Sequence, residues 1–167
     1  MTMWFPREQR NVAKRGFQDA VAAALPGLVA RLDVAGPVVV TGDLNVVEPD
    51  HHPRYPVFGS WEYDFYRSFT QAGFTDAFRI THSPGMDYSW FGRPSSTAQR
   101  NGYRFDHTFI TTAHTAAIRD CRYLHSIRES GLSDHAAMTL ALSLSPLAEH
   151  NRRHRHAGSY HRHHDCP

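Results

Sequence analysis

The residues of this chain worst placed for stability and best placed for chemistry are Asp43, Asn45, Asp106, Asp134 and His135. Carboxylate, carboxamide and imidazole groups move protons and hydrogen-bond reacting atoms, which apolar side chains cannot do. Asp43 and Asn45 close the run Val38-Val39-Val40-Thr41-Gly42-Asp43-Leu44-Asn45. Asp106 breaks the alternation of Tyr103-Arg104-Phe105-Asp106-His107-Thr108-Phe109-Ile110. A partly buried acid inside a strand is costly unless it is paired, so Asp106 is expected to have a partner. Asp134 and His135 stand where a loop enters the apolar run Ala136-Ala137-Met138. The aromatic segment Tyr88-Ser89-Trp90-Phe91-Gly92-Arg93, taken alone, reads as core.

These groups need elements to hold them. The β-branched run after Gly36-Pro37 predicts a short strand covered on both faces. Past Gly42, alternation points Asp43 and Asn45 the same way and turns Leu44 inward. The same residues also read as a strand followed by an Asp/Asn turn. Phe17, Ala20, Val21, Ala24, Leu28 and Leu32 recur at helical spacing, predicting an amphipathic helix over about 10–32 that Pro26 should kink or split. A loop rich in His, Pro and Tyr follows over 46–60, then Trp61, Phe65 and Phe69 mark a second helix stopped by Gly73. Strand-like runs lie near 87–91, 103–111, 116–124 and 136–144, each punctuated by turn residues. The order helix, strand, helix, several strands predicts an α/β (α+β) fold, a mixed sheet packed with helices.

Size allows one domain: the chain has 167 residues, 41% of them hydrophobic, enough for a single core. That domain is expected over 1–144, with 145–167 a disordered His/Arg-rich tail. The tail holds six of the 13 histidines, and such tracts can also bind transition metals. Its four arginines (Arg152, Arg153, Arg155, Arg162) against Glu149 and Asp165 equal the whole-chain net charge of +2. The body is therefore near neutral, and no strongly basic nucleic-acid face is evident. No apolar run approaches the roughly 18 residues of a membrane span, so no membrane partner is expected. The start lacks a signal peptide, and Cys121 and Cys166 make no disulfide framework, so a cytoplasmic location is expected.

Gly-Asp-Leu-Asn, Ser-Trp-Phe, Arg-Phe-Asp and Ser-Asp-His, in that order, resemble the endonuclease/exonuclease/phosphatase superfamily, most of all its exonuclease III type. The likeness runs over about residues 10–144. It implies part of a four-layered α/β sandwich with mixed β-sheets flanked by helices. It also implies a divalent-metal-dependent phosphodiester hydrolase, a DNA endo- or exonuclease acting at abasic sites or 3′ ends. A small phosphoester or phospholipid head group is the alternative substrate, and a non-enzymatic remnant with a metal-binding tail the alternative role. By this resemblance Asp43 would orient or deprotonate the attacking water and Asn45 would donate to the phosphate. His135 would donate to a phosphoryl oxygen, with Asp106 holding its other ring nitrogen. Asp134, with Asp43, would bind Mg²⁺ or Mn²⁺ as hard oxygen ligands. Trp90 matches a tryptophan lining the pocket for a base-less sugar, and Arg93 and Arg104 would contact phosphate. His107 and Asp76 carry little functional weight, Asp76 reading as a structural hydrogen-bonding group.

The resemblance begins late. Family members carry, upstream of Gly-Asp-x-Asn, a strand ending in asparagine and another ending in a metal-binding glutamate. Only about 42 residues precede Asp43, and Glu8, Glu48 and Glu62 do not end apolar strands. The expectation is a C-terminal portion whose remaining half lies upstream or on a partner chain, and whose activity alone is in question.

Overall fold

The computed structural model describes residues 7–32, 36–83, 85–94 and 100–143. The predicted tail therefore lies outside the described residues. Helix α1 (Arg7–Leu32) runs unbroken through Pro26, contrary to the expected kink or split. Pro26 sits on the exposed face beside fully buried Leu25. There the ring meets solvent, and the carbonyl it leaves without a helical donor can turn to water. The buried stripe also differs from the predicted one. Gln18 and Leu25 are buried and Val21, Ala22, Leu28 and Val29 pack at the core's margin, while Phe17 is 65% exposed.

Strand β1 (Val39–Asp43) leads to α2 (Ser60–Gln71), β2 (Phe74–Asp76) and the short α3 (Ala77–Thr81). Next come β3 (Trp90–Phe91), β4 (Gly102–Tyr103) and β5 (Asp106–Thr111). A 3₁₀ turn then joins β5 to β6 (Ile118–Leu124), α4 (His125–Glu129) and β7 (Ala137–Leu142). The strands form a sheet ordered β1-β5-β2, a β3-β4 ribbon and a β6-β7 pair, with every pairing antiparallel.

The strand covered on both faces is β5 rather than β1. Alternation along β5 sends Phe109 to one core and Ile110 to the other, both fully buried. Phe109 stacks on Phe69 of α2, ring centroids 4.2 Å apart, within a cluster that includes Leu25, Phe65 and Phe74. Ile110 faces Phe78, Ile118, Cys121 and Tyr123 from α3 and β6. Helices, one sheet and a second sheet thus stack as layers, in keeping with the expected α/β sandwich, although among the described residues the sheets are antiparallel and not mixed. Strand β1 is an edge: it pairs only with β5 among the described residues and leaves Val39, Thr41, Gly42 and Asp43 exposed.

Candidate active site

Antiparallel register does the first assembly step. Asp43 at the end of β1 lies directly opposite Asp106 at the start of β5. Like charges directly opposite one another are unfavourable, so this pairing calls for a cation or a proton donor between them. One donor is present: His135 Nδ1 lies 2.7 Å from Asp106 Oδ2. Asp106 thus has the partner that its place in a strand demanded. Tyr123 donates its hydroxyl to the Asp106 carbonyl, fixing the backbone beneath the dyad.

The continuous strand expected over 103–111 is broken at Arg104-Phe105, and Ser89 occupies the break. Its hydroxyl accepts from Phe105 N (3.0 Å) and Asp106 N (3.2 Å). Ser89 also accepts Ala136 N through its carbonyl at 2.8 Å, and Trp90 pairs with His135 as an isolated bridge. The β3 segment therefore links Asp106 to His135. Arg128 of α4 steadies that link by donating to the Tyr88 and Ser89 carbonyls at 3.0 and 2.9 Å.

Asp43 and Asn45 are joined more tightly than alternation foresaw. Asn45 adopts φ +53°, and Asp43 accepts both its backbone N (2.8 Å) and its Nδ2 (3.0 Å). This is an Asx turn, the other reading the residues allowed, and asparagine tolerates the left-handed region better than most residues. Lys14, the chain's only lysine, reaches from α1 to donate to the Asn45 carbonyl (2.7 Å) and to Glu62 Oε1 (2.5 Å). Glu62 also caps α2 by accepting from Gly59 N at 2.8 Å. Asp43 thus holds the Asn45 side-chain amide and backbone N, while Lys14 holds its backbone carbonyl.

Ligand atoms of Asp43, Asp106 and His135 all lie within 4.8 Å of one another. A cavity of about 290 Å³ opens beside them, lined by Thr41, Gly42, Asp106, Ser133 and His135. Asp134 is exposed and outside that trio, its Oδ2 accepting from Trp90 Nε1 at 3.1 Å. Trp90 lies among Tyr103, Phe105 and His135, ring centroids 5.6, 5.7 and 6.2 Å away. Arg93 is exposed just beyond β3.

Arg104 requires a correction. It is fully buried and pairs with Glu48 through Nε (3.2 Å) and Nη2 (3.3 Å), and with Asp76. It has no surface from which to reach a phosphate. Alternation decides this: Arg104 points inward while Phe105 lines the groove by the site. Burial opposes ionisation of Asp76, but Arg104, with His107 nearby, outweighs it and holds the carboxyl below the usual carboxylate range. Burial likewise opposes charge on Glu48, and Arg79 and Arg104 bring it down. Asp76 also caps α3 at Phe78 N (3.0 Å) and accepts from Tyr66 (2.7 Å), a structural role. His107 is buried beneath the sheet, with Nε2 2.9 Å from the Val46 carbonyl.

Ser89, Lys14 and Arg128 were not singled out from sequence. Their signals were weak: a serine inside an aromatic run, a solitary lysine, and one arginine among many.

Layers of antiparallel sheet and helix hold an Asp–His dyad beside an Asp–Asn turn, and in these the chain resembles the endonuclease/exonuclease/phosphatase superfamily. Over the part it spans, the chain is similar in sequence to exodeoxyribonucleases and shares the fold of solved exonucleases and AP endonucleases. It is 26% identical over 154 residues to an exodeoxyribonuclease of Bacillus subtilis, covering 86% of this chain and 60% of that protein. A Neisseria 3′ phosphatase, solved with a product DNA hairpin, matches with TM-score 0.65 and 26% identity, over 76% of this chain and 52% of that one. An AP endonuclease from Archaeoglobus fulgidus shares the fold (TM-score 0.64, 19% identity, 78% of this chain and 53% of that one). No protein-family model matches the chain. The chain thus spans little more than half the length of the relatives it matches. Among the described residues, no helix is long and apolar enough to cross a membrane.

Proposed function

We propose that this chain carries the catalytic half of a divalent-metal-dependent DNA phosphodiesterase of exonuclease III type, acting in the cytoplasm at abasic sites or 3′ ends. The observation that carries this reading is the convergence of Asp43, Asp106 and His135 within 4.8 Å, beside the Asn45 turn. Hydrolysis of a phosphoester needs a positioned water, donors for the phosphoryl oxygens and compensation of developing charge. Asp43, exposed and acceptor-only when ionised, is placed to orient and deprotonate water. Asn45 Nδ2 supplies an amide donor next to it. Asp106 holds Nδ1 of His135 as the N–H, which leaves Nε2 to meet substrate.

The residues present fit a hard divalent cation, because two facing carboxylates are oxygen donors in need of positive charge. Asp43, Asp106 and the nearby Asp134 would hold Mg²⁺ or Mn²⁺, which supplies Lewis-acid neutralisation of phosphate charge when bound. Purified protein with Mg²⁺ should nick abasic duplex DNA or shorten 3′ ends, and Asp43→Asn should reduce that rate by at least about 100-fold. Cleavage that survives the substitution would overturn the assignment.

A further inference from the structure

We infer that Lys14 is a positioning residue for phosphoester hydrolysis, a role that rests on the nuclease reading: its ammonium locks the backbone carbonyl of Asn45 and so keeps the Asn45 carboxamide beside Asp43. Helix periodicity sets Lys14 where it is. Lys14, Gln18, Val21 and Leu25 recur at helical spacing along the face of α1 turned to the core. Gln18 and Leu25 are buried and anchor that face, so Lys14 reaches out from a fixed helix. Its ammonium lies over the Trp61 ring, 5.7 Å from the centroid, and donates to the Asn45 carbonyl at 2.7 Å and to Glu62 Oε1 at 2.5 Å.

The backbone around Asn45 shows what the carbonyl bond controls. Leu44 N donates to the Phe105 carbonyl at 2.9 Å. Val46 is fully buried, its carbonyl 2.9 Å from His107 Nε2. The chain is thus pinned on either side of Asn45, which stands exposed between them at φ +53°. A non-glycine residue keeps that conformation only where its surroundings hold it. Asp43 holds the N-terminal side of Asn45 through the Asx turn, and Lys14 holds the C-terminal side through the carbonyl. Without Lys14 the peptide after Asn45 can rotate, the residue relaxes toward the extended region, and Nδ2 swings off Asp43. Displacing a reacting or donating group by about 1 Å can cost on the order of 100-fold in rate.

Lys14 also neutralises Glu62, a carboxylate with little exposure that caps α2 at Gly59 N. A purely structural role would end there. Glu62→Gln separates the two roles, because a glutamine side chain still accepts from Gly59 N and needs no cation. Lys14→Met alone would strand the Glu62 charge, so the decisive variant is Lys14→Met/Glu62→Gln.

The test compares the full-length chain with Glu62→Gln and with the double variant, all three expected to melt within about 5 °C of one another. In Mg²⁺-dependent nicking of abasic duplex DNA, Glu62→Gln should keep kcat within about twofold. The double variant should lose about tenfold or more in kcat with KM changed by less than about threefold, as when an interaction of the transition state is removed. A second readout needs neither metal nor DNA: the Asn45 side-chain amide resonances of the ¹⁵N-labelled chain, identified by their loss in Asn45→Asp. They should stay in place in Glu62→Gln and move in the double variant. A double variant with unchanged kcat, or with Asn45 resonances that do not move, overturns the inference and reduces Lys14 to a counter-ion of Glu62. If the unaltered chain cleaves no DNA, the nuclease reading fails by itself, and the resonances alone decide whether Lys14 locks Asn45.

Discussion

Replacing Arg104 with methionine separates a buried structural cation from a phosphate contact. Arg104 is fully buried and spans two carboxylates, Glu48 (4% exposed) and Asp76 (4% exposed). Its loss does not strand them equally. Glu48 keeps the Arg79 guanidinium, whereas Asp76 keeps only the neutral donors Tyr66 hydroxyl and Phe78 N, with His107 Nδ1 3.7 Å away. The substitution therefore leaves about one uncompensated buried carboxylate, and removing one partner of a buried pair costs about 3–5 kcal/mol. Arg104 Nη1 has no protein partner in the native fold, which places the expected loss toward 3 kcal/mol. With urea slopes of about 1–3 kcal/mol per molar, the unfolding midpoint followed by circular dichroism should fall by at least about 1 M. The double variant Arg104→Met/Asp76→Leu should recover much of that loss, since an apolar replacement of a buried pair is often neutral. A midpoint that moves by less than about 0.3 M, together with weakened DNA binding, would refute the burial account and return Arg104 to the substrate.

Other expected outcomes follow from the same geometry. Asp106→Asn should preserve the fold yet lower the hydrolysis rate by about 100-fold or more, because the amide cannot hold the His135 tautomer as the carboxylate does. Phe69→Ala, which empties a site stacked on Phe109, should cost about 3–5 kcal/mol in thermal or urea unfolding, and a loss under 1 kcal/mol would contradict the assigned core. Acid should destabilise the protein in two stages. Burial holds the folded pKa of His51 below its ordinary 6.5, so the unfolded chain binds the extra proton and stability declines as pH drops below about 6.5. Glu48 and Asp76 are lowered from 4.5 and 3.8, so their stabilisation is present above those values and is lost as pH falls further. A melting temperature that rises between pH 6.5 and 4 would show the sign to be wrong.

The sequence by itself determined which acid, amide and imidazole groups stand at the strand ends and their order along the chain. Asp43, Asn45, Asp106 and His135 were legible because acids, amides and imidazoles at strand ends and in strand interiors are too costly to be incidental. The element order was equally legible, since the periodicities of α2, β5 and β7 are local properties. Tertiary structure decided which strand is central, which charges pair and which residues never reach the surface. Val39–Asp43 reads as buried from its composition, yet it is an edge, and β5 with its own Asp106 takes the covered position. Arg104 and Arg93 look alike in sequence, but one closes a buried ion cluster and the other meets solvent. The Lys14 clamp spans 31 residues and the Asp106–His135 dyad spans 29. No local pattern encodes such contacts: they exist because antiparallel register and sheet packing bring distant residues together, and neither is a property of a short stretch of chain.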